Sequence, residues 1–473
     1  MSDDLAAAPR ELARTELDLR VASSARERWA DADVETRRRV LGEVAAALRG
    51  VAADWCDDWG RSQGVADDGV LRTAMWMQGP VALAASLLRT KLALRSAPTQ
   101  RSRRDWPMPR VHIKADPAPL SRAHRILHLF VQGGKAETDA GLPLTLPGPE
   151  RVQLPMSAGN PFALAEPLIA RALLRGGSAD LDQTLPPWLQ ALTEPLRAQG
   201  ILGVTHNEVD AALGAWVVLL VPGPYSARDI AFYARNIASE LARGVCLGTS
   251  GPLVLLMHAR WLQRDAFVAA LDAELRSERI TKLVEQASPF GGASEFQSLS
   301  RLVDLPGAPF GVLPDVTPEQ LSVGLFSRLP RGLLSQVSAS PGASVGGYQS
   351  HAHYADAAPF LAWAEGFVAA RAQEIAGVSV IVHDATTELS EAQVLQSAAA
   401  MSVPLVGYNA LPSLARLSLA GPLAAMAQAE PGRIAVAQAS FRPLFAKSWP
   451  NQRGFSVPSA RALFESVIAA TLA

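Results

Sequence analysis

Seven apolar residues follow one another without interruption from Ala215 to Val221, and Pro222-Gly223-Pro224 ends the run at once. A strand exposed on one face alternates apolar and polar residues, so an unbroken run this short describes a strand covered on both faces. Proline and glycine then forbid its continuation. Leu253 to Met257 has the same character, and Val378 to Val382 and Val403 to Val406 read as a third and a fourth strand. Helical patterns separate them. Buried strands alternating with helices predict parallel α/β layers.

The helices are marked by spacing. From Val34 to Trp59, Val40, Val44, Leu48, Val51 and Trp55 recur three or four apart and form one buried stripe, with Asp33 placed to cap the start. A second helix is expected over Val70 to Leu94, bent at Gly79-Pro80. Others are expected over Phe162 to Leu174, Leu189 to Gln199, Ala266 to Arg276 and Ser459 to Leu472. Ser226 with Asp229 three residues on resembles a capping box, and Ile230, Ala234, Ile237 and Leu241 line the inner face of the helix it opens. The basic, proline-bearing stretch from Arg95 to Arg110 reads as an exposed connector, and Phe441 to Gly454 as an irregular strand or arm. Residues 286 to 350, rich in Gly, Pro and Ser, carry little pattern.

Composition removes several classes of function. A chain of 473 residues exceeds one ordinary core, so two or three units are expected. Lys and Arg number 44 against 45 Asp and Glu, which argues against nucleic-acid binding. Apolar stretches broken by proline argue against a membrane partner. The two cysteines, Cys56 and Cys246, cannot build a disulfide framework. With an acidic, polar beginning at Met1-Ser2-Asp3-Asp4, a cytoplasmic protein is expected. No P-loop or zinc-protease motif is present in the sequence. His351, His353 and Asp356 read as a polar turn rather than a metal cluster, so no metal site is expected.

The stretch Val221-Pro222-Gly223-Pro224-Tyr225-Ser226-Ala227-Arg228-Asp229, through Asn236-Ile237-Ala238 to Leu253-Val254-Leu255-Leu256-Met257 and Trp261-Leu262-Gln263-Arg264-Asp265-Ala266-Phe267, is similar to the nucleophile region of aldehyde dehydrogenases. The resemblance is to an atypical, degenerate bacterial branch of that superfamily. Its members carry a strand, a Pro-Gly-Pro turn, a helix, a nucleophilic cysteine loop and another strand in this order. Trp59-Gly60 with Met77-Gln78-Gly79-Pro80, Ser157-Ala158-Gly159-Asn160, Gly377 to His383, Val406-Gly407-Tyr408-Asn409 and Ser440-Phe441-Arg442-Pro443 resemble further parts.

The resemblance implies a fold and a chemistry. The fold would be a Rossmann-type nucleotide-binding domain, an α/β catalytic domain and a short C-terminal arm. Here 1–100 would be the helical lead-in, 101–225 a reduced Rossmann-like unit, 226–430 the catalytic-type unit, and 431–473 the arm and helix. In the family a cysteine thiolate attacks an aldehyde, an Asn amide holds the oxyanion, and hydride passes to NAD or NADP. The implied catalytic residues are Cys246, Asn160 and Thr249. An ungapped alignment puts Thr249 at the nucleophile, and Cys246 reaches it through a three-residue slip. Ser157, Gly159, Gly176 and Asp182 would face the cofactor. Asn160 has the simpler alternative of capping the helix begun near Pro161.

Departures from the family are equally specific. Ala211-Ala212-Leu213-Gly214 stands where the family's general-base Glu is found, and Glu208 is the nearest glutamate. Asp182 or Gln183 replaces its ribose-binding Lys. His206 to Gly214 is too short for the strand, Gly-Ser turn and helix that complete the cofactor site. Two functions therefore stand side by side: an NAD(P)-dependent oxidoreductase of a small aldehyde or acyl substrate, with impaired activity, or an inactive subunit or scaffold that binds no dinucleotide. Either way a homo-oligomer is expected, or an assembly with an active homologue.

Overall fold

The computed structural model describes residues 32–65, 69–96, 185–206, 214–247, 253–258, 260–285, 357–382, 401–403, 405–409, 411–412 and 457–473. It also describes the strand segments 105–106, 142–143, 151–154, 177–181, 311–312, 333–339 and 444–447, and single positions at 24, 29, within 162–173 and within 393–400.

Helix α1, Val34–Gln63, starts where the side chain of Asp33 accepts from the Thr36 amide at 2.7 Å and ends where Gly64 turns left-handed at φ 62°. Helices α2 (Val70–Trp76) and α3 (Ala82–Ser96) are joined by a π-helical turn, Met77–Val81. The expected bend at Gly79-Pro80 is thus a widened turn, which accommodates a proline that has no N–H to give. Gly79 keeps this turn close to α1, since a Cβ would lie 3.1 Å from the Trp55 ring, a tight contact.

Strands β1 (Asp105–Trp106) and β2 (Leu142–Pro143) form a short antiparallel pair. Strands β3 (Arg151–Leu154), β4 (Gly177–Leu181) and β5 (Leu202–His206) form a three-stranded parallel sheet. Helical residues between 162 and 173 separate β3 from β4, and α4 (Pro187–Ala198) separates β4 from β5. Eight residues after β5 the chain enters a second sheet through β6, Ala215–Leu220. Helix α5 (Ala227–Leu247) leads to β7 (Leu253–His258), and α6 (Arg264–Leu275) and α7 (Glu278–Glu285) follow. Then come β8 (Gly311–Val312), β9 (Leu333–Ala339), α8 (Ala357–Ala369), β10 (Ile375–Ile381), β11 (Leu405–Tyr408), β12 (Leu444–Lys447) and α9 (Val457–Leu472).

The second sheet has seven strands in the order β12-β11-β10-β6-β7-β9-β8, and every pairing in it is parallel. Strand β6 sits at its centre with all six residues buried. Its side chains alternate between two cores, as a period of two requires. Trp216, Val218 and Leu220 join a cluster that also holds α1, α4, α5 and α9 residues. Ala215, Val217, Leu219 and Val221 join Phe360, Leu361 and Val368 of α8 on the opposite face. The sheet is therefore covered on both sides, and the α/β class expected from the apolar runs is what forms.

In the first core, Trp59, Phe162, Trp188 and Trp55 stack in sequence with ring centroids 5.6, 5.4 and 4.9 Å apart and planes within 14° of parallel. Pairs of this kind contribute roughly 0.5–1.5 kcal/mol beyond the area they bury. They tie α1 to α4 and to the residues following β3. No helix among the described residues is long and apolar enough to cross a membrane.

Candidate functional site

The described residues of the segment that carries the family resemblance fold as strand, turn, helix and strand. Strand β6 runs into Val221, whose amide donates to the Ile381 carbonyl on β10 at 3.0 Å. After the Pro-Gly-Pro turn, Ser226 and Asp229 form the expected capping box. The Asp229 amide donates to Ser226 Oγ at 3.1 Å, and the Ser226 amide donates to Asp229 Oδ2 at 3.2 Å. Helix α5 then crosses the sheet and returns the chain to β7, parallel to β6.

Chain direction defines where a ligand would ordinarily enter. From β6 the chain moves to β7 on one side, and from β10 to β11 on the other. Ligands of open parallel sheets enter at such a switch point, beyond the strands' carboxyl ends. Here that point is filled by main-chain bonding. The Tyr225 hydroxyl lies 2.8 Å from the Val221 carbonyl and 3.0 Å from the Ile381 carbonyl, so its single proton is shared between the ends of β6 and β10. The Gln263 amide group grips the Tyr225 backbone twice: Nε2 donates to its carbonyl at 2.7 Å, and Oε1 accepts from its amide at 2.8 Å. The Trp261 indole donates to the Gly223 carbonyl at 3.0 Å. Asn409, at φ 51°, donates its amide to the Val380 carbonyl and accepts from the Val382 amide through Oδ1 at 2.7 Å. Tyr225 and Trp261 are buried. The group is a clamp holding two strand ends.

No spacing rule marks Tyr225, Gln263 or Asn409 as structural partners; the parallel pairing of β7, β6, β10 and β11 brings them together. Tyr225→Phe is expected to cost about 1–2 kcal/mol, the loss of one well-formed buried hydrogen bond and partial desolvation of two carbonyls. A lowered urea midpoint with an unchanged m-value would report it.

Cys246 is the one sequence-derived site residue that the described residues include. It sits on the last turn of α5 and is 4% exposed. Burial in apolar surroundings pushes its thiol up to about 12. A hydrogen bond at its own backbone offsets only part of this. Reactive cysteines have the opposite setting, near helix N-termini or cations. Cys56, also buried, is raised further by desolvation.

These shifts have a consequence for stability. A thiol whose folded value lies above its unfolded value of 9.0 contributes fully below that value. As pH rises past 9 the unfolded chain loses protons that the folded chain keeps, so stability falls until about pH 12, where Cys246 also ionises. Cys246→Ala is therefore expected to flatten the alkaline limb of a stability–pH curve measured by urea unfolding between pH 8 and 11. An unchanged limb would contradict the burial of the thiol.

Asn160, Thr249, Ser157, Gly159, Gly176 and Asp182 lie outside the described residues, as do Glu208, Gln183, His351, His353, Asp356 and His383. Chain order still constrains two of them. Strand β4 is entered directly after Gly176 and left directly before Asp182, so five residues, about 17 Å of strand, separate the two along the chain. The three parallel strands and their helices form a βαβαβ unit, the half-fold on which dinucleotides bind at the first strand-to-helix turn. That turn, residues 155–161, is not among the described ones. No group of three metal-ligating side chains occurs among the described residues.

No protein-family model matches the chain, and no curated protein does. Solved structures similar to it include methylmalonate-semialdehyde dehydrogenase from Oceanimonas doudoroffii, at 13% identity and TM-score 0.44, covering 88% of each chain. A salicylaldehyde dehydrogenase from Pseudomonas putida G7, complexed with salicylaldehyde, is 13% identical with TM-score 0.42, over 81% of this chain and 79% of the other. An NAD-dependent benzaldehyde dehydrogenase from Corynebacterium glutamicum is 11% identical with TM-score 0.37, over 80% and 83%. The α/β class of this chain rests on its own strand pairings.

Proposed function

We propose that this chain keeps an aldehyde-dehydrogenase-type α/β framework without thiolate chemistry and acts as a non-catalytic subunit or scaffold. One observation carries the proposal: the thiol nearest the family's nucleophile position is buried on the C-terminal turn of a helix and held protonated far above neutral pH. A protonated, enclosed sulfur cannot attack a carbonyl. The strand, Pro-Gly-Pro, helix and strand order supports the framework part of the reading. The missing general-base Glu, the missing ribose-binding Lys and the short link from β5 to β6 support the rest. In this reading neither NAD nor NADP is a resident cofactor, and the chain works in the cytoplasm as a homo-oligomer or beside an active homologue.

Two measurements on the purified protein test it. Calorimetric titration with NAD and with NADP is expected to give no heat of binding. A maleimide at pH 7 is expected to leave Cys246 unlabelled in the folded protein and to label it once the chain is unfolded in urea. Micromolar dinucleotide affinity together with rapid labelling of native Cys246 would establish the oxidoreductase instead, with a small aldehyde or acyl thioester as substrate. Dinucleotide affinity with an inert Cys246 would move the nucleophile to Thr249, and Thr249→Ala would then abolish turnover.

A further inference from the structure

We draw no further inference here: the strongest candidate, the small-residue stripe of Gly42, Ala46 and Gly50 along α1, where a Cβ at either glycine would meet open space, carries nothing because nothing in the structure shows what covers it.

Discussion

Gly377→Ala is expected to lower stability by about 3 kcal/mol, in a position where the sequence change is a single methyl group. Gly377 lies on β10 directly beside Trp216 of β6, just past an irregularity in register between Ile375 and Gly377. A Cβ built there would stand 2.6 Å from two carbons of the Trp216 ring and 2.9 Å from a third. No real contact is that short, so either the ring or the strand must move. The ring is held: its indole N–H donates to Ser379 Oγ at 2.9 Å, and Trp216 is 2% exposed. Overpacking a core costs roughly 1–3 kcal/mol. Breaking the indole bond to relieve the clash costs about 1 kcal/mol more. Urea unfolding measures the loss, and a double-mutant cycle with Trp216→Leu locates it. If the clash is the cause, Gly377→Ala in the Trp216→Leu background costs far less than in the parent. A full cost in both backgrounds would refute it. Gly366→Ala gives the contrast: that glycine lies inside α8 with nothing within 4 Å of an added Cβ. It is expected to stabilise the protein by about 0.5–1 kcal/mol through helix propensity alone.

What made β6 legible was its burial on both faces, which leaves no room for a polar residue between Ala215 and Leu220. Strand β9 is also paired on both sides, with β7 and with the edge strand β8, yet it reads Leu-Leu-Ser-Gln-Val-Ser-Ala from Leu333 to Ala339. Ser335, Gln336 and Ser338 interrupt the apolar run, and a short strand with that composition cannot be told from a loop. Strand β12 had a weaker signal still. Its place beside β11 depends on pairing with residues 39 positions earlier, as Leu405 with Leu444 shows. Local signals fared better where they act locally. The Asp33 cap and the Ser226–Asp229 box involve residues three apart and form as expected.

Of the candidate site only Cys246 is described, and its environment was not legible in the sequence. Periodicity along α5 puts Ile230, Ala234, Ile237 and Leu241 on one face, and all four are buried. Cys246 lies nine residues after Ile237, about 180° around the helix from that stripe. On pattern alone it faces away from the sheet, where a reactive thiol would be accessible. It is buried nonetheless, and α5 also packs against α2, α6 and α7. A second layer of helices is a tertiary fact that no helical wheel contains.

Asp57→Ala is expected to destabilise the protein more than Arg72→Met, by about 3 kcal/mol against about 1–2, although Arg72 is the deeper of the two. The Arg72 side chain is 1% exposed, whereas that of Asp57 is 50% exposed. The guanidinium donates to the Asp57 carboxylate and to the Cys56 carbonyl, both on α1. It lies directly over Gly60, where a Cβ would strike it. Removing the acid takes the paired carboxylate from a charge that cannot rehydrate without opening the packing of α1 on α2, and such losses run to roughly 3–5 kcal/mol. The half exposure of Asp57 places the expected value at the low end. Removing the base has a milder effect. Methionine fills most of the volume, the charge is gone, and Asp57 turns its carboxylate to water. What remains is the Cys56 carbonyl without that donor, about 1–2 kcal/mol. Asp58→Ala serves as the control, since its partner Arg61 is 77% exposed and exposed pairs contribute under about 1 kcal/mol. Urea unfolding at pH 7 of the three variants decides the order. A larger loss for Arg72→Met than for Asp57→Ala would mean that the packed stem of Arg72, and not its buried charge, holds α2 against α1.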